Sequence, residues 1–206
     1  MPKGKHFEPT TELLRKVGWT ADGLNEKSRK LVITNEKARL NFIITKTADV
    51  PTYVEYGAAD IGIIGKDVIA ESEKNIYELL DLGFGKCHLM MAVPKEKKRP
   101  HFEDYAHTRV ATKFPNIAEK FFTERGMQME YIKLNGSIEL GPIVGLSESI
   151  VDIVETGTTL RENNLEEIIS IMDSTARLIV NRVSYKLKYP RIDNLVTDLK
   201  ILLKSV

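Results

Sequence analysis

The stretch Ser149-Ile150-Val151-Asp152-Ile153-Val154-Glu155-Thr156-Gly157-Thr158-Thr159-Leu160 constrains this chain more than any other, because an apolar run, two carboxylates and a Gly/Thr-rich loop follow without a gap. Ile150, Val151, Ile153 and Val154 predict a short strand covered on both faces, as in a parallel sheet. Thr156 to Thr159 turn out of that strand. Gly157 lets the backbone pass close to a ligand, and successive N–H groups with three threonine hydroxyls form a concave donor set suited to a phosphate dianion. Asp152 and Glu155 accept only, so their natural partners are sugar hydroxyls or a magnesium ion beside the phosphate. Together they describe a clamp for a phosphorylated ribose. The alternative is that Thr156 or Thr158 caps a helix beginning near Leu160, with Asp152 and Glu155 as solvated strand-end charges.

A chain of 206 residues can bury a sizeable core as one large domain or two lobes. Its 30 basic and 29 acidic residues nearly cancel, which argues against nucleic-acid binding through a broad basic field and leaves anion binding to local clusters. Cys87 is alone, so neither an internal disulfide framework nor a Cys-rich zinc site is expected. Met-Pro-Lys-Gly-Lys-His at the start has no apolar core, and no apolar run approaches the ~20 residues of a membrane span. A cytoplasmic protein with no membrane association is the expectation.

Along the chain, Pro2-Lys3-Gly4-Lys5 is a basic loop, and a helix runs from about Glu8 to Gly18. Leu31–Thr34 and Leu40–Thr45 read as a hairpin whose outer ends place Arg29 near Lys46, either as converging cations or as solvated strand ends. Asp49-Val50-Pro51 opens a short helix with Asp49 as N-cap, which makes a purely structural Asp49 one reading. Ala59–Gly65 is a buried strand, and Lys66-Asp67 opens the next helix, with Asp67 either its cap or part of a ligand site. His88–Val93 and Thr108–Ala111 are strands, Pro115 starts a helix with Ile117, Phe121 and Phe122 inward, and Met129–Leu134 returns as a strand. Ile168–Met172 and Arg177–Val180 follow as strands. Ile192, Leu195, Val196, Leu199, Leu202 and Leu203 give the last helix, opened by Pro190, one apolar stripe.

Five ordered motifs carry a resemblance over nearly the whole chain. They are Lys3-Gly4-Lys5, D-V-P-T-Y-V-E-Y-G-A-A-D-I-G-I-I-G-K-D at 49–67, A-T-K-F-P-N at 111–116, N-G-S-I-E-L-G-P-I-V-G-L at 135–146 and D-I-V-E-T-G-T-T-L at 152–160. In these the chain is similar to the short-form ATP phosphoribosyltransferase catalytic subunits, and its loop resembles the phosphoribosyl-pyrophosphate (PRPP) loop. The resemblance implies that N1 of ATP displaces pyrophosphate from C1 of PRPP, the first step of histidine biosynthesis, with Mg²⁺ held mainly by substrate. It implies an α/β fold of two lobes like type II periplasmic binding proteins, with the active site in the interlobe cleft. The first lobe would comprise residues 1–86 and 177–206, and the second 87–176. Asp152 and Glu155 would hold the ribose hydroxyls, and Thr156, Gly157, Thr158 and Thr159 the 5-phosphate. Arg29 and Lys46 would be the catalytic cations, with Lys3, Lys5, Asp49 and Lys66 on the ATP and pyrophosphate side. A histidyl-tRNA-synthetase-like regulatory subunit and a dimer of catalytic subunits within a hetero-oligomer are implied partners.

The chain departs from the family pattern in two ways. Members usually carry a strand before P-K-G-R, whereas this sequence begins at Met1-Pro2, so either the start is truncated or the first lobe's sheet lacks a strand. Lys46 and Lys5 stand where arginine is usual, keeping the charge but losing the planar fork for bidentate phosphate contact. Two rival readings remain. A solute-binding protein would share the implied fold, though it needs no acids paired with T-G-T-T. A base-salvage phosphoribosyltransferase would share the clamp and lack the other four motifs.

Overall fold

Short apolar runs broken by turn residues set the first elements. α1 (Phe7–Lys16) buries Phe7, Thr10 and Leu14 along one face. β1 (Val32–Asn35) and β2 (Leu40–Ile43) pair antiparallel with Val32 opposite Ile43, and the Asn35 side chain closes their turn by accepting the Ala38 N–H at 3.0 Å. α2 (Val50–Glu55) has Pro51 in its first turn, where the missing N–H costs nothing. β3 (Ile61–Gly65) runs directly into α3 (Lys66–Ser72), and β4 (Tyr77–Asp81) follows. The computed structural model describes residues 1–204 and divides the chain into two units. One is Met1–Gly85 together with the chain from Thr175 onward; the other is Lys86–Ser174.

The second unit is built on β5 (Cys87–Pro94), β6 (Arg109–Thr112), α4 (Pro115–Thr123), β7 (Glu130–Lys133), α5 (Leu140–Ile143), β8 (Ser149–Val154), α6 (Thr158–Glu162) and β9 (Leu165–Ser174). Its sheet has the order β7-β6-β8-β5-β9. β6, α4 and β7 make a parallel βαβ unit, closed by Ile117, Phe121 and Phe122, which α4 buries as its spacing predicts. β8 lies between β6, to which it is parallel, and β5, to which it is antiparallel. The apolar run of β8 therefore reflects a central place in a mixed sheet rather than in a purely parallel one. Ile150 and Val151 are almost wholly buried there, which is worth about 1.5–3 kcal/mol for each side chain.

The chain then returns to the first unit as β10 (Ala176–Val180), α7 (Arg182–Leu187) and α8 (Tyr189–Lys204). β10 is the centre of a three-stranded antiparallel sheet, β3-β10-β4. α8 buries Ile192, Leu195, Val196 and Leu199 against the core of its own unit, and Leu203 packs beside them. Among the described residues this unit's strands form two sheets rather than one. Beside β2 runs a one-residue parallel bridge, Pro2 with Thr45, fixed by the Thr45 N–H to the Met1 carbonyl at 3.1 Å and the Lys3 N–H to the Thr45 carbonyl at 3.0 Å. A cavity of about 440 Å³ lies beneath, lined by Phe42 and Ile43 of β2, Ile61 and Ile63 of β3, and Trp19 and Ile192.

Candidate active site

The loop after β8 lines a cavity of about 270 Å³ together with Glu139, Asp152, Ile153, Val154 and Leu160. Asp152, Glu155, Thr156, Gly157, Thr158 and Thr159 are thus brought to one place. Gly157 takes the left-handed conformation, φ +70° and ψ 7°, and α6 starts immediately behind it. Neither Thr156 nor Thr158 caps that helix, because the N-cap position falls on Gly157 and no side chain closes it. The alternative in which threonine serves as a cap is therefore corrected. The hydroxyls instead meet each other, Thr156 Oγ1 to Thr158 Oγ1 at 3.1 Å, and the Arg161 guanidinium donates to the Thr156 carbonyl and to Thr158 Oγ1, each at 3.2 Å.

Asp152 is half-buried at the cavity wall, and its Oδ1 accepts the Ile153 N–H at 2.8 Å. Burial is the main force on its acidity and pushes the carboxyl up to about 6. The Ile153 N–H works against that rise, the Glu139 carboxylate adds to it and the Lys113 ammonium opposes it. Glu139 comes close because Gly141 permits it. A Cβ on Gly141 would stand 2.8 Å from both the Ala111 Cβ and the Ser147 Oγ, so only glycine lets α5 press onto β6. Next to Lys113, the buried hydroxyl of Thr112 donates to the Val151 carbonyl at 2.6 Å and accepts the Phe114 N–H at 2.9 Å.

Glu139 and Lys113 lie inside sequence motifs whose spacing gives them no task, and Arg161 lies one residue past the last motif. The legible signal for Glu139 is a charged residue directly after buried Ile138 and two positions before Gly141.

The first unit gathers part of the other predicted set. Its hairpin pairing extends to Leu31, whose carbonyl accepts the Ile44 N–H at 2.8 Å, so Arg29 and Lys46 leave the same end of the ladder. Both are exposed. Lys3 adjoins Lys46 through the Thr47 hydroxyl, which donates to the Lys3 carbonyl at 3.3 Å, and the Gly4 N–H donates to the Glu26 carboxylate at 2.6 Å. The Lys3-Gly4-Lys5 loop is thereby tied to the segments carrying Arg29 and Lys46. Asp49 occupies the N-cap position of α2, but its side chain makes no capping bond and is exposed, which corrects its purely structural reading. Asp67 is not a cap either: Gly65 holds that position, and Asp67 is buried within the first turn of α3. Lys66 pairs with Glu78, which also holds Arg177 at 3.2 Å, so its charge is already engaged inside the unit.

Among the described residues no group of three or more His, Cys, Asp or Glu converges as a metal-binding set, and no helix is long and apolar enough to cross a membrane.

Comparison with known proteins places these features. The model of the family described as HisG: ATP phosphoribosyltransferase matches residues 46–201. The ATP phosphoribosyltransferase of Desulfitobacterium hafniense (strain Y51) is 52% identical over 98% of this chain and 94% of its own length. That of Thermoanaerobacter sp. (strain X514) is 53% identical over 97% and 92%. In the solved ATP phosphoribosyl transferase (HisG:HisZ) complex from Thermotoga maritima, one chain matches with a TM-score of 0.85 and 33% identity over 100% of this chain and 97% of its own. The substrate binding protein of an amino acid ABC transporter matches at 0.60 with 16% identity over 82% of this chain and 77% of its own, a likeness of two-lobed α/β fold alone. The chain belongs to the HisG ATP phosphoribosyltransferase family.

Proposed function

We propose that this chain transfers the phosphoribosyl group of PRPP to N1 of ATP, the first step of L-histidine biosynthesis. The observation that carries the reading is the T-G-T-T loop with Asp152 and Glu155 on one cavity, in a chain of this family. N1 of the adenine forms a bond to C1 of the ribose as the C1–O bond breaks, and pyrophosphate leaves with the bonding electrons. No protein nucleophile takes part. The loop's N–H groups and threonine hydroxyls grip the 5-phosphate, while Asp152 and Glu155 accept the ribose hydroxyls and fix the angle of C1. Ribose hydroxyls donating to Asp152 favour its charged form and offset the burial that raises it.

Arg29 and Lys46, with Lys3, Lys5 and Asp49 beside them in the sequence motifs, carry the roles on the ATP and pyrophosphate side. Fixed cations there act most strongly as charge grows on the leaving oxygens. Lys66 is the weakest member of that set because Glu78 already holds it. A magnesium ion held mainly by substrate phosphates would find hard oxygen donors in Asp152 and Glu139 on the same cavity. When bound, it neutralises charge on those phosphates.

The Thermotoga maritima relative was solved as a HisG:HisZ complex. We extend to this chain a regulatory subunit of that kind, histidyl-tRNA-synthetase-like, in a hetero-oligomer containing a dimer of catalytic subunits, with histidine as feedback inhibitor. A cytoplasmic place follows from the biosynthetic role.

The test is incubation of the purified chain with Mg²⁺, PRPP and either ATP or free purine and pyrimidine bases, followed by mass identification of the product. Phosphoribosyl-ATP with release of pyrophosphate is expected. Nucleotides formed from free bases, with ATP unreactive, would replace the reading by base salvage.

A further inference from the structure

The cavity proposed to hold the 5-phosphate is acidic. Three carboxylates line it, Glu139, Asp152 and Glu155, and its other lining residues are apolar or hydroxylic, with no lysine, arginine or histidine among them. A phosphate dianion gripped there by backbone N–H groups and hydroxyls lies beside three carboxylates, so a cation on the loop would add to its hold. The cation bonded to the loop is Arg161. Its N–H donates to the Gly157 carbonyl at 3.1 Å, which seats it on the turn of α6 following the loop. From there the guanidinium reaches back and donates to the Thr156 carbonyl and to Thr158 Oγ1.

The direction of the two Arg161 bonds is set by chemistry. A guanidinium only donates, so Thr158 Oγ1 accepts from Arg161. Each threonine hydroxyl has a single hydrogen and two lone pairs; one of the pair donates across the 3.1 Å contact between Thr156 Oγ1 and Thr158 Oγ1, in either direction, and the hydrogen of the other is left to donate outward. Dipoles aligned head to tail strengthen one another. We infer that Arg161 is a positioning residue for the 5-phosphate of PRPP: it braces the loop between Thr156 and Thr158 and polarises a two-hydroxyl relay that presents a donor to the anion. This rests on the PRPP reading given above. The competing role for Arg161 is purely structural, a cation in the last turn of a short helix that offsets the helix dipole.

The experiment compares the parent with Arg161→Gln, Arg161→Lys, Thr158→Val and the double variant. PRPP and ATP are titrated separately by calorimetry, steady-state kinetics are recorded, and thermal melts confirm the fold. Arg161→Gln is expected to raise Kd and KM for PRPP by roughly 10- to 100-fold, in line with loss of a hydrogen bond made by a charged group. The KM for ATP, kcat and the melting temperature should stay close to the parent's. Arg161→Lys keeps the charge without the fork and should recover part of the loss. Because the relay passes through Thr158, Arg161→Gln added to Thr158→Val should cost little beyond the larger single effect. PRPP affinity unchanged in Arg161→Gln overturns the inference alone, as does equal weakening of PRPP and ATP together with a lower melting temperature. A parent that binds no PRPP overturns the underlying reading as well.

Discussion

Asp152→Asn is expected to make the ligand-free protein more stable and the enzyme slower. In the folded chain the Asp152 carboxyl is pushed from 3.8 to about 6, chiefly by burial. The raised value means that folding favours the protonated acid. The contribution to stability is complete below the unfolded value near 3.8 and is lost as pH rises through the folded value near 6. At about 1.4 kcal/mol for each tenfold change in acidity, the charged form costs up to about 3 kcal/mol above that window, and partial exposure of the side chain reduces this to roughly 1–3 kcal/mol. Asparagine has nearly the same shape, keeps an oxygen to accept the Ile153 N–H, and adds a donor facing the Glu139 carboxylate. The variant should therefore melt higher at pH 7.5, by about 2–4 °C for each kcal/mol in a chain of this size. The difference should shrink between pH 6 and 4, where the parent's Asp152 takes up its proton. Turnover should fall roughly 100-fold, because a neutral amide accepts ribose hydroxyls less strongly than a carboxylate. Calorimetric melts from pH 4 to 8, paired with single-turnover rates at pH 7.5, measure both halves. A lower melting temperature at pH 7.5, or a difference that does not vary with pH, would refute the account of a buried charge opposed by Glu139.

Further outcomes follow from the same geometry. Gly157→Ala is expected to weaken PRPP about 5- to 30-fold through ~1–2 kcal/mol of left-handed backbone strain and to leave ATP binding unchanged, by calorimetry of each ligand. A Cβ there would face Glu167 Oε1 at 3.3 Å and Arg161 Nη1 at 3.7 Å, so the dihedral dominates, and Gly157→Asn, which tolerates φ +70°, should lose less; Asn faring worse than Ala would point to obstruction. Lys46→Met should lower kcat/KM roughly 10- to 1000-fold, whereas Lys46→Arg stays within about tenfold; a Met variant that turns over like the parent removes Lys46 from the chemistry. Adding a HisZ-type subunit should raise turnover and confer inhibition by histidine, and full activity with histidine sensitivity in the chain alone would sink the two-subunit reading.

The parts of this fold legible in the sequence are those whose cause is local. The α8 stripe declares its buried face because 3.6-residue periodicity is imposed by the one core it packs against. Pro115 and the Phe121-Phe122 pair announce α4 in the same way. β4 and α7 are harder to see. Tyr77–Asp81 shows no clean alternation, since most of its side chains are half-buried, and its pairing with β10 is contributed by residues far along the chain. Arg182–Leu187 is short, and its start is fixed by Asn181, which accepts from Val183 and Ser184 while donating to the Val54 and Glu55 carbonyls of α2.

The candidate site divides along the same line. Residue type shows what Asp152, Glu155 and the threonines are able to accept or donate, and the contiguous motif keeps them together. What each group is set to do depends on residues that meet it only after folding. Asp152 carries its proton up to about pH 6 because of burial and Glu139, and that approach depends on an unrelated glycine, Gly141, fitting against Ala111. Thr158 is the first residue of α6 and, instead of capping it, meets a guanidinium and the Thr156 hydroxyl. Lys66 shows the converse. Its motif is intact, yet Glu78 of β4, the strand least visible in the sequence, has already taken its charge.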